Sequence, residues 1–176
     1  MSVEITFETH STSVDNERGI ATGWFDGDLS SIGQEQAREL GARRTGMVDV
    51  VYTSDLRRAV QTAEVALGDA GVPILQDWRL RECNYGTING MKVEELVRTR
   101  RAHIDAPFDG GESYRDVVAR TRDLLDERKT QHDGSRVLLI GHSANRWALD
   151  HLFRGTPLEE LVGPFDWQPG WRYTLL

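Results

Sequence analysis

VEITFETH, residues 3–10, is a β-branched, apolar run that ends on a histidine, and RVLLIGH, residues 136–142, repeats that arrangement far along the chain. From each histidine a segment of small residues leads toward a helical pattern. In a parallel α/β sheet, ligands bind at the carboxyl ends of the strands. Two strand-end histidines in equivalent settings are therefore expected to face one pocket. The plainer alternative makes each a satisfied polar residue in a loop.

Strand and helix signals alternate outward from these two runs. Val3–Glu8, Val48–Thr53, Val72–Leu75 and Val137–Ile140 read as strands, the second and fourth apolar enough to lie centrally in a sheet. Ser30–Arg44 opens on a Ser cap and carries Ile32, Ala37, Leu40 and Gly41 at roughly helical spacing, and Ser54–Leu67 has a similar start. Met91–His103 and Tyr114–Lys129 show the spacing of amphipathic surface helices. His142–Phe153 reads as a helix stopped by Gly155 and Pro157, and the final WRYTLL as an edge strand. No repeat, low-complexity tract or linker interrupts the series, so one doubly wound domain over residues 1–176 is expected. Ser11–Leu29 and Gly86–Ser113 are long irregular stretches, more often functional than filler, and are candidate walls for the pocket.

Composition narrows the function. A chain of 176 residues buries about 70% of the surface it exposes when unfolded, enough for one core. A net charge of −7 argues against nonspecific binding to nucleic acid or an anionic membrane, yet leaves room for a small anion in a locally basic pocket. Cys83 is the only cysteine, which excludes an internal disulfide and a multi-cysteine metal site and suits a reducing cytoplasm. The leading MSVEITFETH lacks a basic segment followed by a long apolar core, so a soluble, non-secreted protein is expected. The five tryptophans, Trp167 and Trp171 among them, are expected to pack rather than to stack on a ligand.

Asn16 with GWFDGDLSSIGQEQA, then YTSDLRRAVQTAE, LRECNYG, GGES and LLIGHSA follow one another in this order. Together they resemble the histidine phosphatase superfamily, best known from its phosphoglycerate mutase-like branch. The resemblance implies a three-layer α/β/α sandwich with a mostly parallel central sheet, and a phosphoryl-transfer pocket. It makes His10 the nucleophile that carries the phosphoryl group. Glu82 becomes the acid that protonates the leaving oxygen and then the base for water. Arg58 holds phosphate oxygens, His142 donates to the transferring group, and Asn16 is a neutral donor on the pocket wall. Imidazole suits the nucleophile's task because near neutral pH one ring nitrogen is free while a bond to the other sets the tautomer. The resemblance implies no metal and no cofactor, and ligand spacing suggests no metal. The partner implied is a small phosphorylated metabolite, with homodimer formation left open.

One position departs from the pattern. The family's Arg-His-Gly signature is here Thr9-His10-Ser11, preceded by Glu8. A charged hydrogen bond is worth roughly 1.5–3 kcal/mol, so losing one that strengthens in the transition state costs about 10- to 150-fold in rate. Three outcomes stay open: another cation, such as Arg18, Arg57 or Arg146, restores the charge; the pocket serves a non-phosphatase reaction; or it only binds a ligand. Glu8 could repel a phosphate, hold a cation, or orient His10. Hydrolysis is favoured over mutase chemistry because the Gly86–Gly111 segment is short for a water-excluding lid. GHSAN also resembles a nucleophile elbow around Ser143, but only His151 follows it, on the same helical segment, so the acid-then-histidine order is missing.

Overall fold

A computed structural model describes residues 2–176. In chain order its elements are β1 (Val3–Thr9), α1 (Val14–Glu17), β2 (Ile20–Ala21), α2 (Ser31–Arg44), β3 (Val50–Thr53), α3 (Arg57–Leu67), β4 (Ile74–Gln76), β5 (Met91–Lys92), α4 (Val93–Thr99), α5 (Tyr114–Gln131), β6 (Arg136–Gly141), α6 (Ser143–Arg154), α7 (Leu158–Leu161) and β7 (Trp171–Leu175). Five strands form one sheet in the order β4-β3-β6-β1-β7, parallel except for β7, which runs antiparallel along the β1 edge. This is the α/β architecture expected, with a mostly parallel central sheet.

Strand alternation builds the layers. Val3, Ile5 and Phe7 of β1 face one side, where they meet Leu124 and Leu125 of α5, Leu149 of α6, and Trp171 and Tyr173 of β7. Leu138 and Ile140 of β6 and Val51 of β3 face the other, against Leu40 of α2 and Ala59, Ala63 and Leu67 of α3. Successive side chains of a strand point to opposite faces; β3 and β6, covered on both faces, are buried almost end to end, whereas β1 alternates apolar Val3, Ile5 and Phe7 with Glu4, Thr6 and Glu8. A further core of Cys83, Tyr85, Leu96, Phe108, Tyr114 and Trp147 joins α4–α6 to the loops above the strand ends.

The helix starts follow their caps. Ser30 accepts from the Gly33 amide at 3.1 Å, and Ser113 accepts from Asp116 at 3.1 Å in a capping box that starts α5. Gly155 closes α6 in the left-handed region, φ 69°. Three expectations need correction. Ser54 caps no helix: its hydroxyl is taken by His142, and α3 begins only at Arg57. Met91 and Lys92 lie in a strand paired with Ile20 and Ala21, so the helix expected there starts at Val93. The strand expected from Val72 to Leu75 runs from Ile74 to Gln76.

Candidate active site

Register brings the strand ends level. Thr9 of β1 pairs with Gly141 of β6, and Thr53 of β3 with Ile140 of β6. The next residues, His10, His142 and Ser54, therefore emerge side by side. The loop after His10 is held down by α2: a Cβ on Gly33 would lie 1.9 Å from the Thr12 carbonyl oxygen, so only glycine lets the helix approach this closely. The Ser11 amide donates to Thr62 Oγ1 of α3 at 3.0 Å, and Thr12 N to Gln36 Oε1 at 2.9 Å.

A cavity of about 680 Å3 opens above these ends, lined by Thr9, His10, Ser11, Asn16, Arg58 and Glu82 among others. His10 Nδ1 donates to the Ser11 carbonyl at 2.7 Å. A carbonyl can only accept, so the proton sits on Nδ1 and the lone pair on Nε2, which bonds to no described residue. Burial among protein atoms, and then the charge of Arg58, push the His10 pKa from 6.5 down to about 3. The ring is thus neutral at physiological pH.

His142 stands behind the cavity rather than on its wall. It is buried, with its ring centroid 4.9 Å from that of His10. Its Nδ1 accepts from Arg58 Nη2 at 3.3 Å, and since a guanidinium can only donate, Nε2–H is left to donate to Ser54 Oγ at 2.8 Å. Burial, Arg58 and His10 all hold its pKa well below 6.5. The expectation that both histidines face the pocket is met by His10 alone.

Arg58 is buried and fixed by two carbonyls of the Gly23–Phe25 loop, at 2.8 and 3.1 Å, as well as by His142. Asn16 closes a reciprocal cap with Ser13, its Oδ1 accepting from Ser13 N at 2.9 Å, so its Nδ2 amide is the group left to donate from the cavity wall. The structure thus places Asn16 on the cavity wall, where the resemblance expects a neutral donor.

Glu82 is 7% exposed and forms no ion pair with its neighbours Arg79 and Arg81. Those arginines bind Asp77 and Asp55 instead. The Glu82 carboxylate accepts from the Cys83 amide at 2.8 Å and from the Ser143 hydroxyl at 3.0 Å. Its backbone carbonyl is clamped by Trp24 Nε1 at 2.7 Å and Arg120 Nη2 at 3.0 Å. Arg120 is in turn paired with Glu112, whose other bond, to Asn84 N at 2.9 Å, fixes the chain just past Glu82. The GGES block thus works as a brace for Glu82. Burial raises the Cys83 thiol pKa well above its usual value, which makes it a packing residue.

Glu8 turns away from the cavity. It is 1% exposed, bonded by Arg43 at 3.0 and 3.1 Å and by Arg44 at 2.8 Å. It neither repels a phosphate nor orients His10. None of Arg18, Arg57 and Arg146 lines the cavity: Arg57 binds Asp28 at 2.6 Å and Arg146 binds Asp150 at 2.6 Å. The cations that do line it beside Arg58 are Arg43 and Arg100, and sequence reasoning missed both. Arg100 is buried over Trp147, with Nη1 on the Gly163 carbonyl at 2.8 Å and Nε unpaired. Its only sequence signal is the Arg100–Arg101 pair in a stretch read as a solvated helix. Trp171 packs as expected, whereas Trp167 is 62% exposed and lines the cavity. Among the described residues, no group of three or more His, Cys, Asp or Glu could hold a metal ion, and no helix is long and apolar enough to cross a membrane.

A parallel sheet with a neutral histidine, a buried arginine and a buried carboxylate at its strand ends defines the class: the chain belongs to the histidine phosphatase superfamily, branch 1, whose family profile matches residues 7–165. Within that class it is 32% identical over 177 residues to a 2,3-bisphosphoglycerate-dependent phosphoglycerate mutase of Methylobacterium sp. (strain 4-46), covering 90% of this chain and 84% of that enzyme. It is 46% identical over 105 residues to the enzyme of the same description from Thermobifida fusca, of which that match spans only 41%. Among solved structures it is similar to Bacillus stearothermophilus YhfR, with TM-score 0.81 and 30% identity over 92% of this chain and 85% of that one. It also resembles a mycobacterial glucosyl-3-phosphoglycerate phosphatase, with TM-score 0.77 and 25% identity over 92% and 84% of the two chains.

Proposed function

We propose that this enzyme hydrolyses a phosphomonoester of a small soluble metabolite through a phosphohistidine at His10. The observation that carries the reading is the hydrogen bond from His10 Nδ1 to the Ser11 carbonyl, which leaves a neutral Nε2 lone pair in a cavity shared with Arg58 and Glu82. Nε2 attacks phosphorus, the P–O bond to the leaving group breaks, and the departing oxygen takes a proton from the Glu82 carboxyl. Water then attacks the phosphohistidine, Glu82 accepts its proton, and inorganic phosphate leaves with the His10 lone pair restored. Arg58 and the Asn16 amide hold the phosphoryl oxygens, and the small Thr9 and Ser11 side chains complete that wall. His142, bonded to Arg58 and hidden from the cavity, acts as a positioning residue. No step calls for a metal or a cofactor, and a lone buried Cys83 suits work in a reducing cytoplasm.

Thr9 in place of the signature arginine supports altered specificity or a reduced rate. It is also the observation favouring the second reading, a pocket repurposed for another reaction or for binding alone. Release of inorganic phosphate from a panel of phosphomonoesters at pH 6 and 7, wild type against His10→Ala, tests the proposal. Hydrolysis that vanishes in the variant is the expected result. A folded wild type that neither releases phosphate nor binds vanadate overturns it in favour of the second reading.

A further inference from the structure

The cavity, at about 680 Å3, is far larger than a phosphoryl group needs and falls in the range of sites for whole metabolites. Part of its wall is built by Thr9 together with Gln36, Glu39, Leu40 and Arg43 of α2, and by Phe165 and Trp167 from the segment before β7. That segment is anchored. Arg44 Nη2 donates to the Pro169 carbonyl at 3.1 Å, and Gly170, at φ 88°, lies so close that a Cβ there would sit 2.2 Å from Arg44 Nη2 and 3.2 Å from Glu8 Oε1. Phe165 rests on Trp171, with centroids 5.8 Å apart. The Glu8–Arg44 pair therefore holds an aromatic wall in place, and Trp167 stands on it with most of its surface uncovered.

The wall has faces and edges. Phe165 and Trp167 supply apolar faces. Gln36 spends only its Oε1, on Thr12, so its amide N–H groups remain as donors. Arg43 spends Nε and Nη2 on Glu8, so Nη1 remains as a donor. Glu39 is exposed and is the acceptor between them on the same helix. Residues 36, 39, 40 and 43 share one helical face. Apolar planes flanked by alternating donors and an acceptor match a planar heterocycle with hydrogen-bonding edges. Thr9 keeps the space open, since an arginine there would project into the same cavity.

We propose that this side of the cavity is the leaving-group subsite, and that it takes the phosphate ester of an alcohol bearing a planar, hydrogen-bonding ring, stacked on Trp167. The inference rests on the phosphatase reading above and names its substrate class.

Two esters of aliphatic alcohols separate the ideas: a purine nucleoside 5′-monophosphate and glycerol 3-phosphate. Wild type should favour the nucleotide in kcat/KM. Stacking on an aromatic side chain accounts for about tenfold in binding, so Trp167→Ala should raise the nucleotide KM by about that factor and the glycerol 3-phosphate KM by much less. Trp167 is exposed, so the variant should fold normally. Thr9→Arg should lower kcat/KM for the nucleotide and raise it for glycerol 3-phosphate. Calorimetric titration of His10→Ala with the free purine nucleoside, with and without Trp167→Ala, reads the subsite without turnover. Hydrolysis with no preference between the esters, or equal losses for both in Trp167→Ala, overturns the subsite while the phosphatase reading stands. Trp167-dependent nucleoside binding with no hydrolysis supports the subsite and overturns the phosphatase reading, and neither binding nor hydrolysis overturns both.

Discussion

Ser143 donates its hydroxyl to Glu82 Oε2 over 3.0 Å, joining the first residue of α6 to a carboxylate 61 positions earlier. The serine that resembles a nucleophile elbow thus gives its hydroxyl to Glu82 rather than to a histidine, and the expected role is to position that carboxylate. Ser143→Ala should lower kcat about tenfold or more with little change in KM, since a hydrogen bond to a charged group is worth roughly 1.5–3 kcal/mol. Ser143→Thr, which keeps the hydroxyl, should restore most of the rate. A variant whose KM rises while kcat holds would argue against this role.

Acid should destabilise the protein through its two strand-end histidines. Between pH 6.5 and about 3 the unfolded chain binds a proton at position 10 that the folded chain excludes, so stability falls as pH falls through that window. The slope is at most about 1.4 kcal/mol per pH unit for each such histidine, and His142, lowered in the same direction, adds to it. Urea midpoints measured from pH 7 down to pH 4.5 should drop, and His10→Ala should drop less steeply. Parallel curves for the two proteins would contradict the assignment.

Glu8→Gln should cost about 3 kcal/mol, because it strands the mostly buried Arg44 beside Arg43 without a countercharge. Thermal denaturation reads the loss. The Pro169–Gly170 segment, anchored on the same pair, should also exchange its amide protons faster. Glu8→Asp, with the charge kept but the reach shortened, should fall between the two.

Gly33→Ala tests how the nucleophile loop is held. The new Cβ would meet a backbone carbonyl at 1.9 Å, a neighbour that cannot rotate aside, so a cost of about 2 kcal/mol is expected. Because that carbonyl belongs to Thr12, kcat should fall along with the melting temperature. A change in stability alone would mean the loop moves without disturbing His10.

Arg58→Lys should lower kcat/KM by about 100-fold despite keeping the charge. A lysine cannot span the Gly23 and Phe25 carbonyls and the phosphoryl oxygens with one fixed fork. Steady-state kinetics on any accepted ester check this, and a loss under threefold would count against the clamp.

Much of the architecture follows from local patterns. The run ending at His142 is a strand because apolar residues fill both faces of a covered sheet, the run ending at His10 because apolar Val3, Ile5 and Phe7 alternate with polar residues, and Ser30 starts α2 because its hydroxyl reaches an amide three residues on. His10, Arg58, Asn16 and Glu82 were legible as a set because each sits inside a motif whose spacing survives in the linear chain, and the cavity does bring them together. Ser54 shows where such reading fails. It has the form of a helix cap, but a histidine 88 residues away takes its hydroxyl.

The sequence by itself determined the family, the order of the chemistry-bearing motifs along the chain and the absence of the signature arginine, since propensity, capping and motif spacing act over a few neighbouring residues. Only the tertiary structure decided where side chains at strand ends and loops point. Glu8 faces Arg44 rather than the cavity, His142 hides behind Arg58, and Arg44 pins Pro169 across 125 positions so that Trp167 stands on the wall. Each of those directions is set by packing and charge pairing between segments far apart in the chain, an energy that no local window of sequence contains.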